Sequence, residues 1–197
     1  MVMQCELDRD VCDPYATGLR DAVGLGWYKG KLYATENGRD WLGEEKPIDE
    51  INRLTKGKDY GWPKCHGRHE PDPDYTKEDC KGTEMPVFDI EAHSAPLGME
   101  FYFGKQFPAE YKGDLFVAYH GSINRQQPVG YKVVRIFVDE TKHGTVLGGV
   151  EDFVSGFRTR SGEVYGRPVD IETWKDGSLL ISDDKAGVVY RVNSIQK

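Results

Sequence analysis

The sequence predicts an all-β fold made of β-propeller blades, and three observations carry that prediction. A three-part module occurs three times in fixed order, turn-forming residues recur at short intervals, and no segment shows a convincing amphipathic helical period. The 197 residues include 23 glycines and 10 prolines, the punctuation expected of many short strands. Each module opens on a small-residue or apolar strand: Ala22 to Trp27, Pro96 to Phe101 and Pro168 to Thr173. A glycine turn then feeds a strand of buried character, at Gly30 to Glu36, Gly113 to His120 and Gly177 to Asp183. The third part sets an arginine among apolar residues: Arg53 after Ile51-Asn52, Arg135 after Val133-Val134, and Arg191 after Val189-Tyr190. Module starts lie 74 residues apart from Ala22 to Pro96 and 72 apart from Pro96 to Pro168. Short strands recurring at a fixed period are the mark of propeller blades, and closed propellers have about four to eight. The prediction is therefore about three four-stranded blades, half of a six-bladed ring, in one half-propeller domain over 1–197.

Taken in order, residues 1–17 read as the tail of an earlier blade, with Cys5-Glu6-Leu7-Asp8 as an outer strand. The first module covers about 18–64. A loop rich in Pro and Asp follows at about 65–92 and lacks a periodic core pattern. The second module runs over about 93–157, with Val150 to Phe157 supplying an outer strand. Arg158 to Tyr165 is a polar loop, and the third module covers about 166–193. Pro108 to Tyr111 forms at most one helical turn.

The four cysteines are Cys5, Cys12, Cys65 and Cys80. Cys65 and Cys80 bracket the loop without a core, where a disulfide would act as a staple. Cys5 and Cys12 are placed to close a second small loop. Neither pair has zinc-ligand spacing. Disulfides imply an oxidising compartment, periplasmic or extracellular. Met1 to Asp13 has no apolar core of a signal peptide, so either the chain begins inside a longer precursor, the favoured reading, or it is cytosolic and its cysteines are free. The formal net charge of −7 argues against nucleic acid, which needs a basic patch, and against an anionic membrane surface. Mean hydropathy is −0.62, and no apolar run approaches the ~18 residues of a membrane span.

Function should sit on the loops between strands. Glu36 to Gly43 combines an amide (Asn37), a guanidinium (Arg39), a carboxylate (Asp40) and an indole (Trp41), a mixture suited to a flat anionic ligand; the bland reading is a solvated turn. His93 leads into the second module and His120 leaves its second strand, followed by Asn124 and Arg125. Lone histidines are commonly structural, but these two stand on corresponding loops. Arg20-Asp21 and Arg167 precede the innermost strands of modules one and three, where two arginines would suit a multiply carboxylated ligand; salt bridging to nearby aspartates is the structural alternative. Asp49-Glu50 with Tyr60 offers oxygens for calcium, although such acidic pairs are commonly surface charge.

These strings together resemble the glucose/sorbosone dehydrogenase family, the soluble sugar dehydrogenases that use pyrroloquinoline quinone (PQQ). The resembling segments are ATGLRDAVGL (16–25), ATENGRDW (34–41), DEINRLTKGKDYGWPKCHG (49–67), AHSAPLG (92–98), GDLFVAYHGSINR (113–125), GYKVVRI (130–136) and GRPVDIETWKDGSLLISDDKAGVVYRV (166–192). The resemblance implies a six-bladed propeller with PQQ on its top face, a calcium ion polarising the quinone, and a histidine base assisting hydride transfer from the sugar C1. Residue by residue, Arg20 and Arg167 match PQQ-contacting arginines and Asn37 a neighbouring amide. Asp21 stands where relatives often have Asn. Gly38 and Arg39 match residues whose backbone carbonyls hold the catalytic calcium, and Glu50 and Tyr60 match a separate structural calcium site. His120 to Arg125 matches a cofactor-facing loop. The family's catalytic histidine lies in N-terminal blades that have no counterpart in this chain. The resemblance thus implies that a partner half-propeller or a homodimeric ring completes the enzyme, with His120 or His93 as a new base in the second case. It also implies a sugar substrate and an electron-acceptor protein. The alternative is a non-catalytic ligand-binding or structural module derived from a propeller.

Overall fold

The computed structural model describes residues 1–75, 77 and 79–195. A hairpin of β1 (Val2–Glu6) and β2 (Val11–Thr17) opens the chain. Next, β3 (Leu25–Tyr28), β4 (Lys31–Glu36) and β5 (Asp49–Leu54) form an antiparallel meander. Three two-residue strands follow, β6 (Lys58–Asp59), β7 (Cys65–His66) and β8 (Glu70–Pro71). After them β9 (Phe88–Ile90) pairs with β5 and completes a four-stranded sheet. A second four-stranded meander comprises β10 (Pro96–Phe101), β11 (Leu115–Tyr119), β12 (Lys132–Thr141) and β13 (Gly144–Val154). The third sheet comprises β14 (Pro168–Thr173), β15 (Leu179–Asp183) and β16 (Val188–Val192). It has three strands among the described residues, where the repeat predicts a fourth. Helical structure among them is confined to single 3₁₀ turns, one at Ala109–Tyr111.

The module arginines occupy one register position. Arg53 pairs with Tyr33, Arg135 with Phe116 and Arg191 with Leu180. Because side chains alternate across a strand, the same register places equivalent residues on the same sheet face in each module. The faces then stack. Tyr33 and Ile51 of the first sheet pack on Met99, Phe101, Leu115 and Val117 of the second. Phe116, Ala118 and Val133 on the second sheet's other face pack on Ile171, Leu179 and Ile181 of the third. Each large apolar side chain so buried contributes roughly 1.5–3 kcal/mol.

Polar contacts join the sheets as well. The fully buried Thr35 hydroxyl accepts from the Gly24 N–H at 2.9 Å and donates to the Leu97 carbonyl at 2.7 Å. Tyr102 donates to the Gly177 carbonyl at 2.7 Å and accepts from Phe107 N–H. Gly98 lies so close to β14 that a Cβ there would stand 2.6 Å from the Asp170 Cα. Both disulfides form: Cys5 lies directly opposite Cys12 in the first hairpin, and Cys65 joins Cys80 across the long loop. Ala16 of the β1–β2 hairpin and Leu19 just after it pack against Leu32 and Ala34 of β4 and Leu54 of β5.

Candidate functional site

The segments leading into the innermost strands β3, β10 and β14 meet the loops leaving the second strands β4 and β11. Between them is an open cavity of about 320 Å³ lined by Arg20, Asp21, Asn37, Gly38, His93, His120, Asn124 and Arg167. Eight residues singled out from the sequence are thus brought together. Arg39, Trp41 and Arg125 are not. The Arg39 guanidinium turns away to Asp72 at 2.8 Å and Asp74 at 2.9 Å. Trp41 is 83% exposed. Arg125 is enclosed by the Ala92 carbonyl and the Glu45 and Glu91 carboxylates.

The two cavity arginines bind backbone oxygens. Arg20 Nη1 donates to the carbonyls of Asn37 (3.3 Å) and Gly38 (3.1 Å), with its guanidinium over Trp62. Arg167 Nε donates to the His120 carbonyl at 3.1 Å, and its Nη2 to that of Gly121; its guanidinium lies over Tyr131. His120 Nε2 lies 3.0 Å from Asp184 Oδ1. His93 Nε2 lies 2.8 Å from the Gly43 carbonyl. His93 and Ala95 both have left-handed backbone, with φ of 66° and 54°, a strained geometry that costs roughly 1–3 kcal/mol per residue and must be held by its surroundings.

Those surroundings are buried carboxylates that the sequence reading did not recognise as supports. Asp49 accepts from Gly38 N–H at 2.9 Å and Ala95 N–H at 2.8 Å, fixing the 36–43 loop to the lead-in of β10. Burial raises its carboxyl to about 6. Glu36 Oε1 accepts from the N–H groups of Arg20 and Asp21, and burial raises this carboxyl to about 7. Asp183 likewise accepts from Arg167 N–H. Glu36 and Asp183 both end the second strand of their module, so aligning the repeats by register was the signal that would have found them.

Glu50 and Tyr60 line a smaller adjoining cavity of about 30 Å³ that also borders Glu36 and Asn52 and shares Arg20, Asn37 and Gly38 with the first. Glu36 Oε2 and Asn52 Oδ1 are buried there without hydrogen-bond partners. Glu50 accepts from Gly67 N–H and Asn52 Nδ2, and the Tyr60 hydroxyl donates to the Arg53 carbonyl. Among the described residues no group of three or more His, Cys, Asp or Glu side chains is arranged to hold a metal, so any cation here would rely on amide and carbonyl oxygens too.

The chain is similar to sugar-oxidising enzymes. It is 30% identical over 161 residues to the aldose sugar dehydrogenase YliI of Escherichia coli, a match covering 78% of this chain and 38% of that protein. It is 43% identical, over a gapped alignment 227 positions long, to the pyrroloquinoline quinone-dependent pyranose dehydrogenase of Coprinopsis cinerea, covering 88% and 30% respectively. Its fold matches a calcium structure of a Trichoderma reesei carbohydrate-active enzyme of family AA12, with a TM-score of 0.70 at 20% identity, over 88% of this chain and 52% of that one. The chain spans about half, or less, of the length of each. The sequence profile of the TrAA12-like family matches residues 12–194, and the chain belongs to that family.

Proposed function

We propose that the chain forms the cofactor-facing part of a PQQ-dependent sugar dehydrogenase that oxidises an aldose at C1. The carrying observation is that the guanidinium groups of Arg20 and Arg167 line one cavity together with the Asn37 amide. PQQ is a flat tricarboxylate, and guanidinium forks match carboxylates in charge and geometry. The residues present fit it: both arginines now bind neutral carbonyls, which a carboxylate would outcompete through charge-assisted bonds. Bound PQQ would supply the acceptor for the hydride from C1, with calcium polarising its quinone.

The chain's own residues would divide the remaining work. Arg20 and Arg167 bind the anion, while Asn37, already tied to the Pro96 carbonyl, sets its orientation. A carbonyl site for calcium at Gly38 and Arg39 requires Arg20 to release the Gly38 oxygen. The partnerless oxygens of Glu36 and Asn52 beside Glu50 and Tyr60 fit a second cation held by oxygen ligands. Loss of hydride from C1 must be matched by loss of the hydroxyl proton to a base. That base is assigned outside this chain, to a complementary half, or to His120 backed by Asp184 if two copies form the ring. An electron-acceptor protein would then reoxidise the enzyme. The two disulfides support an oxidising compartment, periplasmic or extracellular, for this enzyme.

The engagement of both arginines by backbone carbonyls favours one rival, a module whose motifs only hold its loops together. Calorimetric titration with PQQ, with and without Ca²⁺, separates the two. The proposed function expects binding that weakens at least tenfold in Arg20→Met and in Arg167→Met. No binding to the unaltered chain, with or without Ca²⁺, would leave the structural module as the function.

A further inference from the structure

The stapled loop reaches back to the site. Cys65–Cys80 closes it, and inside it the short β7–β8 ladder pairs Cys65 with Pro71 and His66 with Glu70. Asp72 follows that ladder and is fixed at its backbone: its N–H donates to the Lys64 carbonyl at 2.8 Å, and its own carbonyl accepts from Tyr75 N–H at 2.7 Å. The Asp72 side chain is 1% exposed. Both of its carboxylate oxygens accept from Arg39 Nη1, at 2.8 and 2.9 Å, and Oδ1 also accepts from Asp74 N–H at 3.0 Å. Arg39 follows directly on Asn37 and Gly38, which line the main cavity. The Arg39–Asp72 pair lines the smaller cavity that adjoins it.

We propose that Asp72 is a positioning residue for the cavity: through Arg39 it fixes the Asn37–Arg39 turn, and the staple keeps it within reach of that turn. Gly38 is already hemmed on one side. An added Cβ there would stand 2.7 Å from Pro47 Cγ and 2.9 Å from the Ile48 carbonyl oxygen, and Asp49 holds the Gly38 N–H. Beyond Arg39 the contacts loosen, with Asp40 lying 3.5 Å from Asn124 Nδ2 and 3.9 Å from Arg20 Nη2. The tie to a fully buried charge is the one between Arg39 and Asp72. A carboxylate buried this deeply is costly unless it is paired, so Asp72 selects the arrangement of the turn that brings Arg39 to it. A released Arg39 would also bring a third guanidinium to the rim of a cavity that already holds Arg20 and Arg167. What the turn serves rests on the proposed cofactor function, in which the Gly38 and Arg39 carbonyls meet a cation. What Asp72 does to the turn does not.

The test combines hydrogen exchange of the full chain without ligand and calorimetric titration with PQQ, with and without Ca²⁺. The variants are Asp72→Asn, Arg39→Met and the two together. Amides of residues 38–43 should exchange at least about tenfold faster in each single variant, the loss expected of a hydrogen bond between charged groups. The double variant should be no faster than either, because the two side chains act as one unit, and amides of β11 should be unchanged. In Ca²⁺, PQQ should bind Asp72→Asn about tenfold more weakly than the unaltered chain, as for other residues that orient a metal's ligands, while binding without Ca²⁺ should change less than about twofold. A general loosening would weaken both titrations and speed β11 exchange, and would overturn the assignment. Unchanged exchange at 38–43 overturns it too. So does a double variant with the exchange and affinity of the unaltered chain, which would reduce Asp72 to a neutraliser of the Arg39 charge. If Asp72→Asn does not fold, Arg39→Met breaks the same bond from a side chain 25% exposed, and its exchange decides. If the unaltered chain binds no PQQ, the cofactor function falls, and exchange still decides for or against Asp72.

Discussion

Asp114→Ala should be among the most damaging single polar substitutions in this chain. Asp114 Oδ2 accepts from Arg135 Nε at 2.7 Å and Nη2 at 2.6 Å, and Oδ1 accepts from Val138 N–H at 2.9 Å. Both side chains are 8% exposed, and the guanidinium also stacks 3.8 Å from the centre of the Tyr111 ring. Removing the carboxylate leaves the buried guanidinium with only the Glu151 carboxylate at 3.0 Å and the Glu110 carbonyl as polar partners, and it leaves the Val138 N–H without its partner. Breaking a buried pair from one side costs about 3–5 kcal/mol, with the remaining Glu151 contact setting this case at the lower end, still a large part of the roughly 5–15 kcal/mol that holds a typical domain folded. At about 2–4 °C per kcal/mol for a chain of this size, melting should fall by roughly 6–12 °C. Urea unfolding followed by tryptophan fluorescence measures the loss directly. Asp114→Asn, which keeps an acceptor for Val138, should lie between the wild type and the alanine variant. The sequence repeat supplies an internal control, because Arg191 occupies the register position of Arg135 and pairs with Asp176 where both side chains are over 40% exposed. Water competes for that pair, so Asp176→Ala should cost less. Equal losses for the two alanine variants would refute the argument that burial sets the cost.

Two further outcomes follow from the sheet junctions and the buried carboxylates. Thr35→Val preserves shape but leaves the Gly24 N–H and Leu97 carbonyl unpaired, so it should cost about 1–3 kcal/mol in urea unfolding; a neutral result would mean that water replaces the hydroxyl. Burial holds the Glu36 carboxyl near 7 against an ordinary 4.5, so its stabilising contribution is complete below about pH 4.5 and is lost as pH rises through 7. In EDTA, Glu36→Gln should therefore match the wild type at pH 4 and exceed it at pH 8 by up to about 3 kcal/mol, and an identical difference at both pH values would sink the assignment.

Much of the fold was legible because it rests on repetition. The module strands, the matched arginines and the cysteine pairs each leave a signal within a few residues of themselves. β9 was not legible: at three residues it is too short for an alternating pattern and lies in a segment whose order comes from Cys65–Cys80 and the pairing with β5. The candidate site was legible as a set of loops but not as a set of bonds. Sequence chemistry marks Arg20 and Arg167 as anion binders; only the fold shows them turned onto carbonyls 17 to 18 and 46 to 47 residues distant. Arg39 failed to reach the cavity for a comparable reason, since Asp72 and Asp74 come to it from across the stapled loop. Trp27 matches the buried Phe101 in register, yet its exposure depends on what covers the sheet, which no local pattern records.

The pairing of β10 with β11 skips register between Pro96 and Met99, and that of β14 with β15 skips between Pro168 and Ile171. At the first skip, the Pro96 and Leu97 carbonyls receive Asn37 and Thr35 from the neighbouring sheet. Carbonyl oxygens are the same whatever side chain the residue carries. The loops of the site face therefore stand on anchor points that substitutions at positions 96 and 97 do not erase. A scaffold fixed in this way can exchange the side chains of its binding face across lineages, and so change what it recognises, while the frame beneath keeps its shape.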